Sequence, residues 1–306
     1  MRGLLVVNPK ATTTSARTRD VLVGALRSTM DLTVSFTRRR GHGHALALEA
    51  AKDGIDVVVA LGGDGTINEV VNGLMGVPVE QRPKLGVVPG GSTNVFVRAL
   101  GLPRHPVEAT GVILDCLRDN RSREIGLGRA DDRYFTFCAG IGIDAAVTRR
   151  VERARHKGRR ASPMLYARSF FREYAFEAFN RTPALTLAPA GEEPLSGLAT
   201  IIVQNTAPWT YVGDRPIQAS PEASFDEGLD VLALKAMRPP GTIQTVTKML
   251  SKQTDGYGKQ VVLRHDLSEF VVSSTTPQAF QLDGDYLGDR EKVKFSSVPA
   301  ALRVIC

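Results

Sequence analysis

Gly62-Gly63-Asp64-Gly65-Thr66 lies between Ile55-Asp56-Val57-Val58-Val59-Ala60-Leu61 and Ile67-Asn68-Glu69-Val70-Val71-Asn72-Gly73-Leu74. The first flank reads as a buried strand and the second as a helix. Glycines between a strand and a helix are the ingredients of a polyphosphate site. Without a Cβ, backbone N–H groups can approach phosphate oxygens. A helix N-terminus adds unpaired donors and the positive end of a dipole. Thr66 and Glu69 match a capping box, which places the helix start here. Asp64 is the odd member, because a carboxylate beside phosphate is repulsive unless a cation or a proton transfer explains it. The stretch therefore points to Mg-nucleotide chemistry rather than to simple anion binding.

Around this loop the chain alternates strand and helix. Gly3–Val7 reads as a buried strand, followed by the polar loop Asn8-Pro9-Lys10 and a helix through Val21–Ser28. Leu32–Thr37 is a second strand, Ala45–Lys52 a helix, and Leu85–Pro89 a further strand leading into Gly90-Gly91-Ser92-Thr93-Asn94. Such alternation argues for a parallel sheet covered on both faces. Its ligand would sit at the C-terminal strand ends, so both glycine loops should face one crevice. Near Glu124 the texture changes to short strands separated by turn residues, from Ile125–Arg129 to Lys292–Phe295. That pattern predicts an antiparallel sandwich, with a helix at Ile243–Leu250. Leu302–Ile305 could serve either domain.

At 306 residues, with 42% hydrophobic and 23% charged residues, the chain has the composition of a soluble globular protein of one large or two ordinary domains. Cys116, Cys138 and Cys306 show neither metal spacing nor a disulfide pattern, which predicts a reducing, cytoplasmic setting. Leu4–Val7 is too short for a signal core or a bilayer span. The net charge of +7 is concentrated in Arg149–Arg160, with a smaller run at Arg38-Arg39-Arg40. The long run is either a solvated face or mobile loop, or a contact for an anionic surface. Tyr166, Phe170, Phe171, Tyr174, Phe176 and Phe179 follow it at roughly helical spacing. They are either core packing or one face of a membrane-surface helix, an arrangement better suited to acidic lipid than to nucleic acid.

The motifs resemble, in order and over nearly the whole length, the bacterial diacylglycerol kinase and sphingosine kinase superfamily of soluble lipid kinases. Asn8-Pro9 is similar to the opening nucleotide loop, and Thr37 with Gly41-His42-Gly43-His44-Ala45 to the adenosine-side segment. Gly62–Glu69 resembles the signature loop and Pro89–Asn94 the second phosphate-side loop. Gly140-Ile141-Gly142-Ile143-Asp144-Ala145 looks like the start of the lipid domain. Pro221–Leu229 resembles a metal-holding loop, and Gln281-Leu282-Asp283-Gly284-Asp285 the late acidic motif. The sequence departs from the pattern in four places. Val95 follows Asn94 where an aspartate is usual. Asp285 stands for a glutamate, and Asp226-Glu227-Gly228 for Asp-Asp-Gly. Tyr211-Val212-Gly213-Asp214 lies where glycines are common.

The resemblance implies an α/β N-terminal nucleotide-binding domain, residues 1–124 with 296–306 returning to it. An all-β C-terminal sandwich, 125–295, would take the lipid, with the active site in the interdomain cleft. The implied reaction carries the γ-phosphoryl group of ATP to a lipid hydroxyl, first diacylglycerol to give phosphatidic acid. A sphingoid base, ceramide or other lipid is the alternative acceptor, and a non-catalytic nucleotide-binding regulator is the reading from another class. Asn8, Pro9, Lys10, Thr12 and Thr37 would hold the nucleotide with Gly62, Gly63, Asp64, Gly65, Thr66, Asn68, Glu69, Ser92, Thr93 and Asn94. Asp64 would organise Mg-ATP. Asp283 is the first choice for the general base, then Asp285, then Asp64, although Asp-Gly-Asp also suits a type I′ or similar turn. Ser224, Asp226, Glu227 and Leu229 would hold a second Mg²⁺. His42 and His44 lack a third ligand nearby and suit a helix entry. Peripheral membrane association, anionic lipid bound through 149–160, no nucleic acid and a possible homodimer complete the expectations.

Overall fold

Runs of buried aliphatic residues build the first sheet. β1 (Arg2–Val7), β2 (Asp31–Phe36), β3 (Val57–Gly62) and β4 (Lys84–Pro89) are parallel, in the order β4-β3-β1-β2. The helices between them are α1 (Ala16–Arg27), α2 (His42–Lys52), α3 (Asp64–Leu74), α4 (Val95–Ala99) and α5 (Pro106–Arg118). Strand side chains alternate between faces. Leu5, Val7, Val57, Val59 and Leu61 pack against Leu22 and Leu26 of α1 and Ile113 and Cys116 of α5. Leu4, Val6, Val58 and Ala60 point the other way and are equally buried. There α2 and α3 pack closely enough that a Cβ on Gly73 would lie 2.4 Å from the His44 carbonyl oxygen.

The structure is a computed structural model describing residues 1–11, 15–157, 163–180, 183–235, 237–251 and 257–306. It divides into two compact units, 1–127 with 299–306, and 128–298. Thr12, residues 158–160 of the basic run, and the side chains of Phe176 and Phe179 lie outside the described residues.

The second unit is built from antiparallel strands. After β5 (Arg123–Ala130) come β6 (Arg133–Phe135), β7 (Cys138–Ile141), β8 (Leu185–Pro189), β9 (Leu195–Leu198) and β10 (Thr200–Gln204). β11 (Thr210–Val212) and β12 (Arg215–Ile217) form a separate hairpin, followed by β13 (Leu229–Leu234), β14 (Val261–Leu267), β15 (Glu269–Leu282) and β16 (Asp285–Val304). Phe135, Phe270, Phe280 and Phe295 centre its core, with Phe270 and Phe295 stacked at 5.1 Å. β15 runs unbroken from Glu269 to Leu282. Its register slips between Ser273 and Gln278, where Pro277 has no N–H to give to a ladder.

Three helices also belong to this unit: α6 (Ile143–His156), α7 (Pro163–Asn180) and α8 (Pro239–Ser251). They cover Ile202 and Leu232 through Val147, Phe170 and Met249. The basic run thus starts inside a helix. The last strand continues into the first unit, where Val304 pairs in parallel with Leu85.

Candidate active site

Three loops of the first unit follow the C-terminal ends of adjacent parallel strands. Those after β3 and β4 touch backbone to backbone. The Gly90 amide donates to the Gly62 carbonyl at 2.8 Å. A Cβ on Gly90 would lie 2.9 Å from the Gly62 Cα, and one on Gly91 2.8 Å from the Gly63 Cα. Contacts that short exclude any side chain, so these glycines are needed to join the loops.

Asp64 sits in the first turn of α3. Its Oδ2 accepts from the Val95 amide and its Oδ1 from the Phe96 amide, each at 3.1 Å. The carboxylate that looked repulsive in a phosphate loop therefore caps the start of α4. Asn94 has φ 51° and closes its own loop, accepting from the Gly91 amide at 2.9 Å and donating to the Gly91 carbonyl at 2.8 Å. From the loop after β1, Asn8 Nδ2 donates to Thr66 Oγ1 at 2.9 Å, and Asn8 Oδ1 accepts from the Lys10 amide at 2.9 Å. Asn8, Gly62–Thr66 and Gly90–Asn94 are thus one cluster. Pro9, Lys10 and Ser92 are exposed on its loops, and Thr93 is partly exposed. The Thr37 amide joins β2 to β1 through the Val7 carbonyl at 2.8 Å.

The capping box needs correction. The N-cap of α3 is Gly63, with no side-chain cap bond. Thr66 is engaged by Asn8, and Glu69 reaches away to α2. Its Oε1 accepts from the Gly41 amide at 2.7 Å and its Oε2 from the Gly43 amide at 2.9 Å. A carboxylate serves the unpaired amides of a helix start equally well from another helix. Asn68 is buried, and Asn72 Nδ2 donates to its carbonyl at 2.9 Å. Glu69 braces the Gly41–Gly43 segment, and Asn68 belongs to the interior of α3.

In the second unit, β15 and β16 are joined by Asp283 and Gly284, with φ 46° and 80° and Leu282 opposite Asp285. Two left-handed residues in a two-residue hairpin make a type I′ turn. Asp283 is 5% exposed. Its Oδ2 accepts from Thr136 N at 2.7 Å and Thr136 Oγ1 at 2.8 Å, and its Oδ1 from Phe137 N at 3.0 Å and Cys138 N at 3.1 Å. Four donors fill the four lone-pair positions of a carboxylate, so a proton could enter only by displacing one of them. To act as general base, Asp283 would have to give up one of these bonds. Asp285, by contrast, is partly exposed.

The loop expected to hold a second Mg²⁺ is largely occupied with its own contacts. Ser224 Oγ accepts from the Asp226 amide at 3.2 Å, and the Ser224 carbonyl from the Glu227 amide at 3.3 Å. Glu227 lies 3.7 Å from His265 Nε2, and Leu229 opens β13 opposite Leu267. No cluster of three or more His, Cys, Asp or Glu side chains suited to a metal occurs among the described residues. Ser224 thus serves the loop's own amides, and Glu227 faces His265. His265 also meets Asp230 at 2.8 Å and Glu222 at 4.0 Å. Partial burial pulls its pKa down, but the hydrogen bond and charge of Asp230, with Glu227 and Glu222, outweigh that and raise it.

One polar group missed by sequence reasoning is Asp144, in the first turn of α6. Its Oδ2 accepts from Gln281 Nε2 at 2.7 Å. Burial pushes its pKa up to about 6, against the lowering effect of that bond. The signal was available in Gly140, where a Cβ would fall 1.7 Å from the Asp144 Oδ2.

Residues 2–130 match the diacylglycerol kinase catalytic domain family. A probable lipid kinase, YegS-like, from Chromohalobacter salexigens is 44% identical over 117 residues, 38% of this chain and 36% of that protein. A diacylglycerol kinase from Bacillus subtilis is 47% identical over 96 residues, 31% and 30% of the two chains. The aligned segments thus span about a third of these relatives. The crystal structure of a diacylglycerol kinase from Bacillus anthracis Sterne aligns over 99% of this chain and 96% of its own, with TM-score 0.74 and 21% identity, a likeness of fold. The cluster of Asn8, Asp64, Gly90 and Asn94 falls inside the segment that matches the diacylglycerol kinase catalytic domain family.

Proposed function

We propose that this chain is an ATP-dependent lipid kinase, transferring the γ-phosphoryl group to a lipid hydroxyl, with diacylglycerol as the first acceptor. The observation that carries this reading is the pair of glycine loops joined by Gly90–Gly62 and by Asp64, inside the segment that matches a kinase domain. Phosphoryl transfer asks a protein for positioning and charge stabilisation more than for covalent chemistry. The loops supply backbone amides at a helix start, which suit phosphate. Mg²⁺ arrives with ATP as part of the substrate. Asp64 fixes the loops, and Lys10, Ser92 and Thr93 lie where a triphosphate could meet them. Asp285 takes the hydroxyl proton, with Asp283 holding its turn.

A second observation supports work at a membrane surface. The aromatic stripe divides. Phe170 and Tyr174 stack at 5.8 Å and pack inward, while Met164 and Phe171 are 76% and 68% exposed. Arg168 and Arg172 flank them on α7, Arg153 and Arg155 are exposed on α6, and Lys157 is exposed at its C-cap. Apolar side chains beside cations suit an anionic bilayer. No described helix is long and apolar enough to cross one.

Labelled ATP with Mg²⁺ and mixed lipid vesicles tests the function. Label on extracted diacylglycerol supports it, and label on another lipid moves the acceptor. Nucleotide binding with no transfer gives the regulator.

A further inference from the structure

We infer that Asp144 is a positioning residue, which through Gln281 fixes the Asp283-Gly284-Asp285 turn. The inference rests on the lipid-kinase reading, in which that turn carries the proton acceptor.

Gln281 is 2% exposed and spends its amide in two directions. Its Oε1 accepts from the Gly284 amide at 2.9 Å, in the middle of the turn. Its Nε2 donates to Asp144 Oδ2 at 2.7 Å. The two bonds set the amide's orientation together, since a flipped group would face the Gly284 N–H with a donor. Asp144 therefore shares with the Gly284 N–H the control of which way Gln281 points, with Cys138 Sγ a weaker acceptor at 3.6 Å from the same Nε2. The backbone leaves room for nothing else there, because a Cβ on Gly140 would meet both Asp144 Oδ2 at 1.7 Å and Gln281 Nε2 at 2.9 Å. The same helix grips the far side of the turn. Glu152 Oε1 accepts from the Tyr286 amide at 3.2 Å, and Arg149 lies 3.5 Å from Asp289. Helix α6 thus holds the acidic turn at Gly284 and at Tyr286, on either side of Asp285. Fixing a reacting group by a buried bond to its neighbours is worth large rate factors, because small misplacements are costly.

The test compares Asp144→Ala with Asp144→Asn. Asparagine keeps an acceptor oxygen for Gln281 and removes the charge; alanine removes both. Two readouts are taken, lipid phosphorylation and hydrogen exchange at the Gly284 amide. Asp144→Ala should lower kcat about 10- to 100-fold, with little change in KM for ATP, and should speed Gly284 exchange. Asp144→Asn should restore most of both. Wild-type exchange at Gly284 in Asp144→Ala overturns the inference. So does a kcat in Asp144→Asn as low as in the alanine variant while Gly284 stays protected, because Asp144 would then act by its charge. A wild-type protein that phosphorylates no lipid removes the kinase reading instead, and the exchange readout still decides whether Asp144 holds the turn.

Discussion

Asp64 accepts a hydrogen bond from the Val95 amide at 3.1 Å, and so joins the loop after β3 to the helix after β4. At position 95 the backbone makes this bond whatever the side chain, so the loops stay tied although valine stands where the family resemblance expects aspartate. Asp64→Ala should therefore cost about 1–2 kcal/mol of stability through the lost cap and weaken ATP binding at the same time. Thermal unfolding and nucleotide titration measure the two. A variant of wild-type stability that fails only in turnover would return Asp64 to a direct catalytic part.

Gly91→Ala offers a second test of the loop contact. The new methyl would sit 2.8 Å from the Gly63 Cα, backbone against backbone. Neither partner is a flexible side chain, so the loops must part. We expect a loss of about 1–3 kcal/mol and an ATP Kd raised at least tenfold. Gly111→Ala is the control, since nothing lies within 4 Å of a Cβ there. It should be neutral or slightly stabilising.

The two acidic residues of the turn should separate cleanly. Asp283→Asn puts an amide among donors that need an acceptor, and should cost about 2–3 kcal/mol. Asp285→Asn should leave stability within about 0.5 kcal/mol and lower kcat at least 100-fold. Loss of turnover in Asp283→Asn at wild-type stability would assign proton acceptance to Asp283.

The pH dependence follows from Asp144. Its pKa is raised by burial from 3.8 to about 6, so the folded state binds this proton more tightly than the unfolded chain. Its ionised form opposes folding above about pH 6, and the penalty is relieved as pH falls from 6 towards 3.8. Asp144→Asn should therefore be more stable than wild type above pH 6, by at most about 3 kcal/mol. The gap should close as the medium is acidified towards pH 4. A gap that is independent of pH would show that Asp144 titrates normally.

What could be read in the sequence was local. The strand–glycine–helix order at Leu61–Ile67 and the Asp283-Gly284 turn both follow from short-range chemistry. The partners of the polar groups did not. Glu69 looked like a cap for its own helix because Thr66 stands three residues before it, yet its amides belong to Gly41 and Gly43. Asp283 could be placed in a turn, but its clamp is Thr136–Cys138, about half the chain away. Asp144 was seen only as part of the Gly140–Ala145 segment and given no role of its own, because its partner Gln281 lies 137 residues further on. The His265 partner of the acidic loop at Asp226 was equally out of reach, since it comes from a strand about 40 residues further on.

The final strand carries a consequence for the order of folding. Residues 299–304 of β16 lie in the first unit, where Val304 pairs with Leu85, Arg82 Nη1 donates to the Ala301 carbonyl at 2.6 Å and Ile305 is fully buried. A chain leaving the ribosome makes the glycine loops early, but the strand beside β4 follows only after the second unit. Until then the edge of β4 stays open to other strands. Newly made protein should therefore need protection from aggregation until residues 299–304 are available, and clipping away residues 299–306 would undo the sheet that was begun first.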